Sequence, residues 1–362
     1  MIPSEILPFL VHAIKYKKNV LLTGRPGIGK TDVVKQAALI ANTQLHITHP
    51  VIHGPEDYSG YPMTVNGVPQ MVPFKDLRIL IDAIVPTTYF LDDMGQAAQA
   101  TQKALMQVLW EKRIGSHDIS SYISFVAATN RRGDKAGVTS ILEAVKSRMT
   151  IIPFDFDIKS WITWAVQHNI PPLLIAFHRF RPDMLGDDNF KPTSDIINSP
   201  SPRTVAEVGD WINTGAIDVN RISHISSEAH QKSDQKSKEN ALKGSEFEII
   251  TGCCGEGYAI EFLSYVRVYR DLPDVNMILK NPDKVDVPNQ NRPDVLYALV
   301  STLVSRAEES NIDNIFKYIE RISVEFGTLF VNDMSDKDNE LCDSKGFLKW
   351  CEKHNDIIVD KD

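Results

Sequence analysis

The chain of 362 residues is short of cysteine, with only four, and their placement removes more possibilities than it opens. Cys253 and Cys254 are adjacent, and Cys342 and Cys351 lie far downstream, a spacing that fits no zinc site; reduced thiols are the expectation. No apolar run reaches the roughly 18 to 20 residues that cross a bilayer, and the segment from Met1 to Asn19 has neither a basic start nor a small-residue cleavage site. The expectation is a cytoplasmic protein with no membrane partner. Positive charge is also scarce: 39 Lys and Arg stand against 47 Asp and Glu, a net charge of -8. That argues against a surface that grips nucleic acid everywhere, while a local basic stripe stays compatible with a negative total.

Core-forming material is not scarce. Apolar residues make up 43% and charged residues 24%, an ordinary globular balance. The length points to two domains of unequal size. His46, His49 and His53 bring three imidazoles within eight positions, but they lie where a strand runs out into a loop holding Pro50 and Pro55. With no cysteine and no helical HExxH pattern beside them, they read as polar loop residues.

Apolar residues Ile6, Leu7, Leu10, Val11 and Ile14 give a helical period over Ser4 to Lys18, with Ser4 as the expected N-cap. A strand at 19–24, a glycine-rich turn and a helix at 31–41 follow. Four further β-rich runs, Leu45–Thr48, Thr88–Leu91, Ile123–Ala127 and Met149–Phe154, alternate with helix-like segments at Lys75–Ile84 and Gln96–Glu111. This is the pattern of a parallel sheet with both faces covered, so an α/β fold is expected over 1–156. Asn66-Gly67, flanked by valines, predicts a hairpin over 63–72 that projects from the sheet. From 157 to 330 the pattern turns helical: Ser160–His168, Pro171–Phe180, Thr204–Asn213, Ile260–Arg270, Pro293–Glu309 and Ile312–Phe330. The polar stretch Ser223 to Ser245 is expected to be a mobile insertion, and the acidic tail 331–362, around the apolar patch Phe347–Trp350, to be weakly ordered.

The strongest chemical signal is the run Gly24, Arg25, Pro26, Gly27, Ile28, Gly29, Lys30, Thr31, which fits GxxxxGK[ST] directly after a strand and before a helix. The glycines let the backbone curl so that its N–H groups and the helix N-terminus face phosphate oxygens. Lys30 reaches the β- and γ-phosphates and Thr31 places its hydroxyl on Mg²⁺, with Asp32 closing the nucleotide-contacting run. Thr87 to Asp93 is an apolar strand ending in two carboxylates, Asp92 for the Mg²⁺ shell and Asp93 to polarise the attacking water. Asp93 is one methylene shorter than the glutamate usual there, which makes slow hydrolysis an expectation. Phe125 to Arg132 ends another strand in Asn130, placed to orient the same water. Arg148 precedes the last strand, and Arg203 sits at a helix start in the second domain; either guanidinium can stabilise charge in phosphoryl transfer or simply solvate a surface.

In this order the pieces resemble the AAA+ P-loop NTPases, and within them the MoxR-like branch. The residues that carry the likeness are 24–31, 90–93, 128–130, 147–148 and 201–204, spread over 1 to about 330. The resemblance implies that Lys30 and Thr31 form Walker A, Asp92 and Asp93 Walker B, Asn130 sensor 1, Arg148 the arginine finger and Arg203 sensor 2. It implies an α/β core with a five-stranded parallel sheet followed by a smaller helical lid, with the hairpin as this branch's insert and Asp57 to Pro62 as its entrance. It further implies ATP and Mg²⁺ as cofactors and a homo-oligomeric ring, commonly a hexamer, because an arginine finger acts on the next subunit's nucleotide. Its clients would be proteins to remodel or assemble, including von Willebrand A domain proteins. Two other functions fit the residues: a nucleic-acid motor or loader gripping through Arg131, Arg132 and Lys135 or through Lys232 to Lys243, and an ATP-gated switch with slow turnover resting on Asp93.

Overall fold

A computed structural model describes residues 1–134, 141–186, 190, 195–218, 244–266, 268 and 271–354. It divides into two compact units, the first comprising Met1–Asp157 and the second beginning at Ile158. The expected insertion at 223–245 lies almost wholly outside the described residues, as do Lys135 and Lys232 to Lys243.

The first unit is built on five strands: β1 (Val20–Thr23), β2 (Gln44–Thr48), β5 (Thr87–Leu91), β8 (Ile123–Thr129) and β9 (Thr150–Pro153). They run in the order β2-β5-β8-β1-β9, and every neighbouring pair is parallel. Successive side chains leave a strand on opposite faces, so each apolar run feeds two cores. Leu21, Tyr89, Leu91, Phe125 and Ala127 pack with Leu77 and Leu80 of α4 (Lys75–Asp82) and Leu105 of α5 (Gln99–Met106). Val20, Leu22, Phe90, Val126 and Ala128 pack with Ile6, Leu10 and Ile14 of α1 (Pro3–Lys15) and with Val33, Val34 and Ala37 of α2 (Lys30–Ile40). Burial on both faces of β1, β5 and β8 explains why these central strands read as unbroken apolar runs rather than as alternating ones.

Local signals shift two helix boundaries. Helix α1 starts at Pro3, whose fixed φ suits the first helical position, and not behind Ser4 as N-cap; the Ile2 N–H donates to Glu5 Oε2 at 3.1 Å. The helix expected from Gln96 starts only at Gln99, because Asp93 is left-handed at φ 55° and a short 3₁₀ turn, Met94–Gln96, intervenes. A π-helical turn, Gln107–Glu111, follows α5 and ends at Lys112 (φ 54°).

The hairpin is longer than expected, pairing β3 (Tyr61–Val65) with β4 (Val68–Val72) as a separate two-stranded sheet. Asn66 (φ 54°) and Gly67 (φ 79°) supply the two positive φ values that its tight turn requires. In this unit no sequence pattern predicted the single turn α3 (Glu56–Ser59), the short ribbon of β6 (Arg113–Ile114) and β7 (His117–Asp118), or α6 (Glu143–Lys146).

The second unit is helical among its described residues. It holds α7 (Ile158–Gln167), α8 (Pro172–Phe180), α9 (Pro202–Asn213), α10 (Ser245–Cys254), α11 (Glu256–Tyr265), α12 (Val275–Lys280), α13 (Pro293–Arg306), α14 (Ile312–Ile319), α15 (Val324–Lys337) and α16 (Lys345–Lys353). The single helix expected over Ile312–Phe330 is instead α14 and α15. The Phe316 and Phe330 rings meet at 5.5 Å, whereas fourteen residues of straight helix would hold them about 21 Å apart, so the chain must turn back between them. The tail expected to be weakly ordered packs in part: Leu341 and Trp350 join the core of α12 to α15, and Trp350 is 1% exposed. Gly327 leaves the room, since a Cβ there would stand 3.1 Å from the Trp350 ring.

Candidate nucleotide site

The phosphate-binding run leaves the C-terminal end of β1 and enters α2. Gly24 is held in line with the sheet by its N–H to Thr129 O at 3.2 Å. A side chain there has no room, because a Cβ would lie 2.6 Å from the Phe154 carbonyl oxygen and 2.8 Å from Ile28 Cδ1. Gly27 (φ 76°) and Gly29 (φ 98°) take left-handed conformations and turn the chain into the helix, and around Gly29 the space where a Cβ would stand is open. The first N–H groups of α2 have no partner inside the helix and, with its dipole, favour an anion. Ile28 is buried beneath the loop, and the buried Arg25 guanidinium lies over the Phe156 ring at 5.3 Å.

Three strand ends deliver the polar side chains. Lys30 Nζ, 7% exposed at the residue level, donates to Gly24 O (2.9 Å), Arg25 O (2.9 Å) and Asn130 Oδ1 (2.8 Å). Thr31 Oγ1 donates to Asp92 Oδ2 at 2.7 Å. Asp92 itself is fixed by β2, its N–H donating to Thr48 O at 2.9 Å, and its Oδ1 accepts from the Asp93 N–H at 3.1 Å. Asp93 Oδ1 accepts from Asn130 Nδ2 and from Gln96 Nε2, both at 3.2 Å. One orientation of the Asn130 amide therefore serves both neighbours, its oxygen facing the ammonium and its nitrogen the carboxylate. Lys30, Thr31, Asp92, Asp93 and Asn130 form one connected network, assembled from residues up to 100 positions apart.

Sequence reasoning missed Gln96. Its signal was present in the spacing, an amide three residues beyond Asp93 across a turn, but only the left-handed Asp93 backbone makes that spacing a contact.

Arg148 is not part of this network. It precedes β9, whose Thr150 is level with Val20 at the N-terminal end of β1. The four residues of β1 separate that edge from the phosphate loop by about 13 Å. There Arg148 Nη1 donates to Ala144 O, and its guanidinium lies 5.2 Å from the centre of the exposed Trp110 ring. Asn19 supports this edge, donating from Nδ2 to Leu109 O (3.1 Å) and Arg148 O (3.4 Å) and accepting from Lys112 Nζ at 3.2 Å. Lys112 stands over the Phe125 ring at 4.1 Å, and its burial lowers its pKa to about 8. Arg203 is exposed in the first turn of α9, in the second unit, behind an N-cap in which Ser201 Oγ accepts from the Thr204 N–H at 3.2 Å.

The donor set fits a polyphosphate with a hard divalent cation. An ammonium, a hydroxyl and a helix N-terminus could meet anionic oxygens, and Asp92 beside Thr31 supplies one carboxylate. Among the described residues no group of three or more His, Cys, Asp or Glu could cage a metal. His46 stacks on Tyr89 at 5.0 Å, and His53 Nδ1 lies 3.4 Å from Asp57 Oδ2.

No curated protein matches the chain. Solved structures similar to it include the Holliday junction branch migration motor RuvB of Thermotoga maritima, at 16% identity over 86% of this chain and 85% of that one, with a TM-score of 0.37. NtrX from Brucella abortus, solved in complex with ATP, is similar at 14% identity over 48% of this chain and 44% of that one, with a TM-score of 0.34. The first unit is an α/β fold in which a five-stranded parallel sheet carries a phosphate-loop sequence at the end of β1, and residues 19–149 match the family model of the AAA domain, dynein-related subfamily.

Proposed function

We propose that the protein is an ATP-hydrolysing ring ATPase of MoxR-like type that remodels or assembles partner proteins. The observation that carries this reading is the network joining Lys30, Asn130 and Asp93 on one side of the phosphate loop to the Thr31–Asp92 pair on the other. Lys30 and the N-terminus of α2 bind the phosphates, and Asp93, aimed by Asn130 and Gln96, accepts a proton from the attacking water. Thr31 and Asp92 would hold Mg²⁺, which when bound neutralises charge on the β- and γ-phosphates.

Arg148 stands at the opposite edge of the sheet from the phosphate loop of its own chain, so its action on a nucleotide requires a neighbouring copy. A homo-oligomeric ring, commonly a hexamer as the resemblance implies, would supply that copy. Arg203 keeps the role implied by the resemblance, contact with the bound nucleotide. The clients are proteins, with von Willebrand A domain proteins the class to try first. A nucleic-acid grip gains no support at Arg131, whose Nε faces Asp134 Oδ2 at 3.5 Å.

The test is steady-state ATP hydrolysis against protein concentration for wild type, Lys30→Ala and Arg148→Ala, with light scattering to follow assembly. Turnover that rises with assembly and is lost in both variants supports the shared-site ring. Concentration-independent turnover that survives Arg148→Ala sinks it and leaves an ATP-gated switch.

A further inference from the structure

The edge of the sheet that carries Arg148 holds a second construction. The π-helical turn Gln107–Glu111 buries Val108 and Leu109, at 0% and 1% exposed, yet turns the next residue, Trp110, outward at 64%. A large ring left in solvent forfeits burial worth having, and here its face is used by a guanidinium 5.2 Å from the ring centre. Arg148 is held at two further points: Nη1 donates to Ala144 O and, at 3.3 Å, to Ser147 Oγ. Its Nε is buried without a hydrogen-bond partner, and no bond from Nη2 forms among the described residues, although a guanidinium carries five donors. One side chain, Asn19, ties both halves together, since its Nδ2 donates to the carbonyls of Leu109, next to Trp110, and of Arg148.

We propose that Trp110 is a positioning residue for Arg148, holding the partly buried guanidinium in one plane with Nη2 left over for the nucleotide of a neighbouring copy. The inference rests on the shared-site reading above. A free arginine on an exposed helix end samples many rotamers and loses that freedom when it docks on phosphate. Stacking on Trp110 and bonding to Ala144 remove much of the freedom beforehand, so less is lost when the charge of the transferring phosphoryl group develops. Trp110 touches neither substrate nor reacting atoms; it acts through Arg148.

The experiment measures kcat and KM for ATP in the full chain for wild type, Trp110→Leu, Trp110→Phe and Arg148→Ala, with light scattering to monitor assembly. Arg148→Ala is expected to be nearly inactive. Trp110→Leu is expected to assemble normally and to lose roughly three- to tenfold in kcat with KM unchanged, and Trp110→Phe, which keeps an aromatic face, to recover most of it. Wild-type kcat in Trp110→Leu beside an inactive Arg148→Ala overturns the positioning role and leaves the shared site standing. Equal losses in the Leu and Phe variants, or failed assembly of the Leu variant, overturn it as well, the latter by making Trp110 a contact between copies. Full turnover in Arg148→Ala removes the shared-site reading, and this inference with it.

Discussion

The two ends of the parallel sheet are built on opposite plans. At the C-terminal end the functional side chains are buried and bonded to one another: Lys30, Asp92 and Asn130 are each 7–8% exposed, and Asp93 is fixed by two donors. At the N-terminal end the guanidinium of Arg148 is partly buried, lying over an exposed tryptophan and donating to Ala144 O and Ser147 Oγ, with Asn19 bonded to the backbone on both sides. The first arrangement suits a pocket that must hold one ligand in one pose, because buried polar groups tolerate only a fully satisfied network. The second leaves one guanidinium nitrogen unbonded, as the proposed contact with a neighbouring copy requires.

The comparison can be broken from either side. The largest expected effect is Lys30→Ala, which removes the ammonium at the centre of the buried network and leaves Asn130 Oδ1 without its donor; ATP turnover should fall by about a thousandfold or more in a phosphate-release assay. Second is Asp93→Glu. Asp93 occupies a left-handed backbone that aspartate tolerates better than glutamate, and its reach is set by the Asn130 and Gln96 amides. The expected result is about a tenfold loss of kcat; a gain would mean that the shorter acid attenuates the site.

Third is Gly24→Ala, a test of the C-terminal edge through stability. The added methyl meets the Phe154 carbonyl, a backbone group with little freedom to move, so thermal unfolding should show a loss of about 1–3 kcal/mol.

The smallest expected effect belongs to the N-terminal edge. Burial lowers the Lys112 pKa to about 8, below its unfolded value near 10.5. Between those values the unfolded chain holds the proton and the folded chain does not, so stability rises with pH across this window and the cost of charge burial is greatest below pH 8. Lys112→Met removes that titration. The stability of the variant relative to wild type should therefore decline by about 1 kcal/mol from pH 8 to 10.5, a figure discounted for solvent around a half-buried ammonium. A difference that stays flat with pH would show that Lys112 is solvated like an ordinary surface lysine.

How much of this was legible in the sequence differs between the two edges for a physical reason. The phosphate loop is local: eight consecutive residues state both its glycine geometry and its donors, and a strand and a helix flank it. Asp92, Asp93 and Asn130 were legible because each ends an apolar run, and in a parallel sheet all strand C-termini lie on one edge. Gln96, Asn19 and Trp110 were not legible. Gln96 needs the left-handed Asp93 to reach it, and Asn19 bonds to carbonyls 90 and 129 residues away. Trp110 falls on the outward side of its helical turn, and only the fold brings Arg148, 38 positions on, against its ring.

In the second unit most helical periods were readable, but α10, α12, the break between α14 and α15 and the packing of Trp350 were not. Period and composition report which residues must be buried, not against what. The sequence by itself therefore determined the α/β class, the phosphate loop and the acids that end its strands, because these follow from periodicity and from short spacings along the chain. Tertiary structure alone decided which distant side chains complete the network around Asp93, and that Arg148 stands beyond the far edge of the sheet. Those outcomes depend on strand order and on long-range hydrogen bonds that no local pattern encodes.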